Sequence, residues 1–242
     1  MEHKNLKREI PAWQYDEMKL CGVKFDSEEF ADKYDEHHQR FRDYKKEAQE
    51  RILLLGLGRQ AAIIDMGCGT GAFAIHAASY FRKIYAVDVS NAMIEHARKK
   101  AKTGGFGNIE FHHGGFLTYE HKSEPVDGIV SALALHHLPD FWKFVALQRM
   151  AQMLRPGGRL LLFDVVFSFD TYYEANIKRF IQAMADRMGD EMKHELETHI
   201  RQEYSTFDWI MEEMLKKAGF KIKKTEYKEG FFANYLCEKK EE

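Results

Sequence analysis

The chain has 242 residues, of which 45% are hydrophobic and 31% charged, with a net charge of −2. This length holds one sizeable core and not two full domains, and the charge balance offers no basic field to attract nucleic acid. No apolar run reaches membrane-spanning length, the opening "MEHKNLKREIPAWQY" has no apolar signal core, and Cys21, Cys68 and Cys237 are too scattered for a metal site, which together point to a reducing, cytoplasmic setting.

In chain order, "DSEEF" offers Asp26 and Glu29 as a capping pair, and Phe30, Tyr34, Phe41, Tyr44, Ala48, Ile52 and Leu55 recur at helical steps up to Gly56 and Gly58. The pattern then alternates. Ala61 onward reads as strand, glycine turn and helix, and "KIYAVDV" as a strand followed by Ser90 as helix cap. "NIEFHHG" and "PVDGIVSALA" are further strands, "PDFWKFVALQRMAQML" a helix, "RPGG" a turn and "RLLLFDVVF" a fifth strand. Between Ser168 and Tyr204 two helical patterns interrupt the alternation, with a break at Gly189–Asp190. "STFDWIMEEMLKKAGF" is a capped helix, and "FKIKKTEYKEGFFANYLCEKK" is two strands around Gly230. Short buried strands alternating with helices predict an α/β, Rossmann-like, mostly parallel sheet with helices on both faces. The expected organisation is a tail and helix over 1–58, and a ligand-binding domain over 59–242 carrying a helical insertion at 168–204.

The stretch "AAIIDMGCGTGAFAI" decides the ligand. Gly67, Gly69 and Ala72 fit the dinucleotide spacing, so glycines alone allow NAD. Asp65 argues against it, because a carboxylate at the end of the first strand would face the pyrophosphate. An ammonium or sulfonium in the same place would be attracted. S-adenosylmethionine carries both and has no phosphate. Asp88, about twenty residues beyond the glycines, suits either cofactor by accepting the ribose hydroxyls. Ser90 is free to cap the next helix, so Asp88 has no necessary partner in the protein.

In this order and spacing, "IDMGCGTG", "VDVSNAMIEHA", "LALHHLPD" and "LRPGGRLLLFD" closely resemble class I S-adenosylmethionine-dependent methyltransferases, and among them small-molecule enzymes such as those of quinone biosynthesis. The resemblance implies a seven-stranded sheet whose last strand is antiparallel. It implies that Asp65, Gly67, Gly69 and Gly71 hold the methionine part, that Asp88 binds the ribose, and that Val89 lies against the adenine, with Cys68 and Met93 among the cofactor positions. Ser131 and Ala132 would add backbone contacts, and Tyr34 in "ADKYD" is similar to a covering contact, with core packing as the other reading. The family often places Gly-Asp after the third strand, the Asp binding the adenine amino group. This chain has "HHGGFL", with Gly115 in the Asp position, which leaves adenine recognition to backbone groups and Phe116.

A general base is required only if the acceptor must lose a proton. His136 and His137, after the fourth strand, are candidates for a base or a positioning donor, although the same turn serves in the family as a plain helix entry. Asp164, at the end of the fifth strand, is a further catalytic candidate with an equally good structural reading. Trp13 and Tyr15 in an otherwise polar tail, and Tyr172 opening the inserted helices, are expected near the acceptor, with tail and helix pair closing over it. His37–His38 and His112–His113 lack companions at ligand spacing, so no metal is expected. "RKKAK" and "KKAGFKIKK" have acids close by and read as solvated faces, not as a nucleic-acid surface. The leading reading is a small-molecule methyltransferase. An NAD-dependent oxidoreductase and a non-catalytic S-adenosylmethionine-binding module are the alternatives.

Overall fold

The computed structural model describes residues 11–19, 28–40, 42–169 and 171–241. Its strands are β1 (Ala62–Met66), β2 (Lys83–Asp88), β3 (Ile109–His113), β4 (Val126–Ala132), β5 (Leu154–Phe167), β6 (Thr206–Phe207), β7 (Phe220–Lys228) and β8 (Phe232–Lys239). They form one sheet in the order β3-β2-β1-β4-β5-β8-β7, with the short β6 beside the end of β5. Pairing is parallel from β3 across to β5, and β8 runs antiparallel to both β5 and β7. Apart from β6, this is the seven-stranded Rossmann-like sheet that the sequence predicts. The hairpin at Gly230 (φ 80°) lets β8 enter between β5 and β7.

The helices are α1 (Glu28–Gln39), α2 (Tyr44–Leu55), α3 (Ala72–Ala77), α4 (Asn91–Thr103), α5 (Asp140–Met153), α6 (Tyr173–Met188), α7 (Asp190–Gln202) and α8 (Asp208–Lys217). Strand side chains alternate between faces, and the central strands show it clearly. Ala62, Ile64 and Met66 of β1 and Leu160 and Leu162 of β5 pack with α5 and α8. Ile63 of β1 and Leu161 of β5 pack on the other side, with Ala48 and Leu55 of α2 and Phe73, Ala74 and Ala77 of α3. The same alternation sends Asp65 toward the α2 side and Asp164 toward the α5 side. A smaller cluster of Phe180, Met184, Met192 and Phe231 seats α6 and α7 on the β7–β8 hairpin.

Three local expectations change. The helical pattern running to Leu55 is two helices, because Asp43 resets the chain by accepting from Lys46 N at 2.9 Å as the cap of α2. Asp26 of the expected capping pair, and Phe41, lie outside the described residues. "RPGG" is no connecting turn: Leu154 already pairs with Val126, and the register shifts so that Gly128 meets Arg159, with Gly157 at φ 68° in the bulge. Ahead of α8, Thr206 and Phe207 extend along β5 as β6, and no side chain caps the helix. The break at Gly189 (φ 94°) stands where it is expected. Among the described residues no helix is long and apolar enough to cross a membrane.

Candidate functional site

A cavity opens at the carboxyl ends of β1, β2 and β4, where strand order reverses, the usual ligand position in such sheets. Its floor is the glycine turn. Gly67, Gly69 and Gly71 all have positive φ (76°, 52° and 74°), a conformation that costs a side-chain-bearing residue, and a Cβ on Gly67 would also collide with Ala134. Gly67 N and Cys68 N both donate to Val87 O, at 2.8 and 3.0 Å, which lays the turn against β2. From above, Asp35 of α1 accepts from Thr70 Oγ1 at 2.5 Å and pairs with Lys100 of α4, whose ammonium also bonds Thr70 O at 3.1 Å. The turn is thus held from three sides.

Two buried carboxylates face this turn. Asp65 is 3% exposed, and its Oδ2 has no hydrogen-bond partner. Burial raises its pKa to about 7, with the Arg51 guanidinium pulling it down and Asp88 pushing it up. Asp88 is raised by burial as well, against the pull of its backbone donors. Its Oδ2 accepts from Gly69 N at 2.8 Å and its Oδ1 from Ser90 N at 2.9 Å. This corrects the expectation of a carboxylate without a partner in the protein: Asp88 braces the glycine turn. Ser90 does cap α4, its Oγ accepting from Met93 N at 3.2 Å.

Past β3, the space beside Gly115 is filled by a side chain from the segment 11–19. A Cβ on Gly115 would lie 2.5 Å from the Glu17 carboxyl carbon. Glu17 is 7% exposed, and its carboxylate accepts from Leu117 N at 2.9 and 3.1 Å and from Thr118 Oγ1 at 2.7 Å. Burial raises its pKa despite these donors. Glu17 thereby anchors the segment 11–19 beside the cavity, and Tyr15, Glu17 and Lys19 line it.

Of the residues singled out in the sequence, Asp65, Gly67, Cys68, Gly69, Asp88, Val89, Met93, Gly115, Phe116, Ala132, Tyr34, Tyr15 and His137 line the cavity. Gly71 and Ser131 stand behind the lining, Ser131 fully buried with its hydroxyl unpartnered. Two residues expected at the acceptor lie outside the cavity. Trp13 is 75% exposed and stacks on Trp142, and Tyr172 is 82% exposed, at φ 53° before α6. Their apolar surface is spent on neighbours and solvent. Among the described residues, none of α6 or α7 lines the cavity; the pair packs on Phe231, and Glu195 of α7 acts electrostatically on the cavity residue Tyr34.

The two histidines part company. His137 lines the cavity, and burial together with neighbouring His136 lowers its pKa to about 4, so its ring is neutral. His136 points inward to Asp164, with Nδ1 2.5 Å from Oδ1 and its backbone N donating to Oδ2 at 3.0 Å. Burial opposes its charge, but Asp164 and Glu203 outweigh that and raise it to about 9. Neither His136 nor Asp164 reaches the cavity wall.

Among the polar wall residues, the sequence reading missed Glu17, Lys19, Arg42, Tyr44, Arg51 and Thr70. Both arginines are braced by Glu47, at 2.7 Å from Arg42 and 3.1 Å from Arg51, and the buried Tyr44 hydroxyl has no partner. It also missed Leu133, a cavity residue at φ 55° just after β4, where strain of this kind often marks a functional site.

Fold and site together define a Rossmann-like protein with a cavity at its topological switch point, built around a glycine turn and two buried carboxylates. Residues 63–158 match the family model described as a methyltransferase domain. An uncharacterized methyltransferase of Anoxybacillus flavithermus is 29% identical over 200 residues, covering 81% of this chain and 88% of the relative. Among solved structures, an S-adenosylmethionine-dependent methyltransferase of Clostridium acetobutylicum superposes with a TM-score of 0.65 at 14% identity, over 88% of this chain and 98% of that one. The magnesium protoporphyrin IX methyltransferase of Synechocystis, solved with bound S-adenosylmethionine, superposes with a TM-score of 0.56 at 17% identity, over 81% and 79%. Residues 63–158 thus match a methyltransferase domain, on a sheet whose strand order is that of the Rossmann-like methyltransferase fold.

Proposed function

We propose that the protein moves a methyl group from S-adenosylmethionine to a small-molecule acceptor at the Tyr15 and His137 end of the cavity. The observation that carries this is Asp65, a buried carboxylate beside the glycine turn with one oxygen unpartnered. A pyrophosphate there would meet negative charge, while an ammonium would satisfy the orphaned oxygen. The rest of the wall suits an amino acid's other end, since Arg42, Arg51 and the unpartnered Tyr44 hydroxyl can receive a carboxylate. Asp88 keeps lone pairs for ribose hydroxyls beyond its two backbone bonds. Glu17 is the residue we assign to the adenine amino group, in place of the side chain that Gly115 lacks.

S-adenosylmethionine supplies a methyl group already activated by its sulfonium. The protein then has to orient the acceptor and exclude water, because charge disperses during transfer. Phe116, Leu133, Ala134 and Leu138 give the cavity an apolar wall for this, and segment 11–19 adds Tyr15 beside them. His137, neutral and on the wall, is the assigned acceptor-orienting group, and it serves as base where the nucleophile carries a proton. His136 and Asp164 act behind it as support. The apolar-walled cavity favours a small acceptor, the net charge of −2 disfavours nucleic acid, and the cytoplasm is the compartment in keeping with unpaired buried Cys68 and Cys237.

Calorimetry tests the cofactor first: S-adenosylhomocysteine binds in the micromolar range and NAD does not. Tight NAD binding with no response to the sulfur nucleoside would overturn the assignment. A metabolite screen for release of S-adenosylhomocysteine then identifies the acceptor, and binding without turnover on any pool would favour a non-catalytic module.

A further inference from the structure

Behind the wall that carries His137, side chains from two distant parts of the chain converge. His136 stands in a single 3-10 turn after β4, whereas His199 and Glu203 lie one helical turn apart at the end of α7. One ligand atom from each falls within 4.8 Å of the others. His136 Nε2 is 3.3 Å from Glu203 Oε2, and His199 Nδ1 is bonded to the same oxygen. All three side chains are largely withdrawn from solvent, at 7%, 13% and 5% exposure.

The far side of each ring is already secured. His136 Nδ1 faces Asp164 Oδ1, and Asp164 is itself fixed by the backbone amides of His136 and Val165 at 3.0 and 2.8 Å. His199 Nε2 bonds Ser205 Oγ at 2.7 Å. Metal-bound histidines have this outer arrangement, in which one nitrogen binds the ion and the other N–H donates to a carboxylate or oxygen beyond. Donors on a tetrahedral ion at about 2.0–2.1 Å lie roughly 3.3 Å apart, the separation His136 and Glu203 already show.

We propose that His136, His199 and Glu203 bind a divalent transition-metal ion of the zinc type, with Asp164 and Ser205 orienting the two imidazoles. Two nitrogens and one carboxylate oxygen suit Zn2+ and its neighbours and do not suit Ca2+ or Mg2+. The ion fastens α7 to the loop after β4, and it competes with protons for its ligand atoms. It also commits the His136 ring, whose centre is 4.4 Å from that of His137, so the metal stiffens the cavity wall without touching it. This inference is independent of the acceptor and of methyl transfer.

The test uses tag-free full-length protein, stripped with chelator and titrated with Co2+ as a spectroscopic probe. The expected result is a visible d–d band of a four- or five-coordinate site that saturates near one equivalent, is displaced by Zn2+, and accompanies a rise in Tm. His199→Ala and Glu203→Gln should abolish the band. Asp164→Asn, which cannot touch the ion, should weaken affinity by about 10–100-fold. Absence of any band and of any Zn2+-dependent Tm shift in the wild type sinks the proposal, and so does a band that survives in the folded double variant. If a variant fails to fold, the wild-type titration alone decides.

Discussion

Asp65 sets the most direct expectation at the scale of single residues. Its pKa of about 7 lies above the ordinary 3.8, so the folded free protein holds a proton that the unfolded chain gives up. The sign follows from linkage: stability of the free protein falls as pH rises from about 4 to about 7. An ammonium ligand selects the ionised form, so S-adenosylhomocysteine should bind more weakly at pH 6 than at pH 8, with proton release on binding below pH 7. Calorimetry in buffers of different ionisation enthalpy measures both, and equal affinity with no proton release would remove Asp65 from the ligand. Asp88→Ala should cost about 1.5–3 kcal/mol of cofactor affinity, the scale of a hydrogen bond to a charged group. It should also lower the Tm of the free protein, because Gly69 N and Ser90 N lose their acceptor. Scanning calorimetry separates the two effects. Both aspartates were legible in the sequence because the turn, its acidic neighbours and the strand spacing are local. The second duty of Asp88 was not, since a backbone donor nineteen residues away leaves no trace in composition.

Among the elements, the segment 11–19 matters more than its sequence suggests. Two aromatics in a polar stretch pointed to a cover, yet they divide: Tyr15 lines the cavity while Trp13 stacks on Trp142 outside it. The residue that anchors the segment is Glu17, bonded to an amide a hundred positions away, and no periodicity or motif marks such a contact. Gly115 was the available clue, as a position without a side chain where the resemblance leads one to expect an acid. Deleting residues 1–19 should leave the sheet folded while amide exchange at 115–119 speeds up, because Leu117 N loses its buried acceptor. Cofactor affinity should drop, and turnover on an identified acceptor should drop further, since orientation and water exclusion fail together. Unchanged exchange at Leu117 would show that Glu17 holds nothing. The cluster of His136, His199 and Glu203 escaped the sequence for the same reason, because adjacent histidine pairs were weighed for metal and the assembled set spans a loop and an inserted helix.

For the molecule as a whole, the fold was legible because alternation of strand and helix is a global pattern and tolerates local error. The two-helix start, the bulged entry to β5 and the short β6 changed nothing in the strand order. The role of the insertion was not legible, since an amphipathic helix pair shows that it buries one face and not against what. The structure supplies that answer: Phe231 at the β7–β8 hairpin is 1% exposed and stacks on Phe180 of α6 with centroids 3.8 Å apart. The cluster around it is small and separate from the two cores that flank the sheet. Docking of α6 and α7 should therefore fail before the sheet does. Phe231→Ala removes the shared ring, and a buried Phe→Ala costs about 3–5 kcal/mol, which is large against so small a cluster. The expected outcome is protease cleavage within 173–202 of a protein whose remaining core still melts cooperatively and still binds S-adenosylhomocysteine. Limited proteolysis with mass spectrometry, alongside calorimetry, reads this directly. Cleavage appearing only together with loss of the whole fold would show that the insertion and the sheet are one cooperative unit.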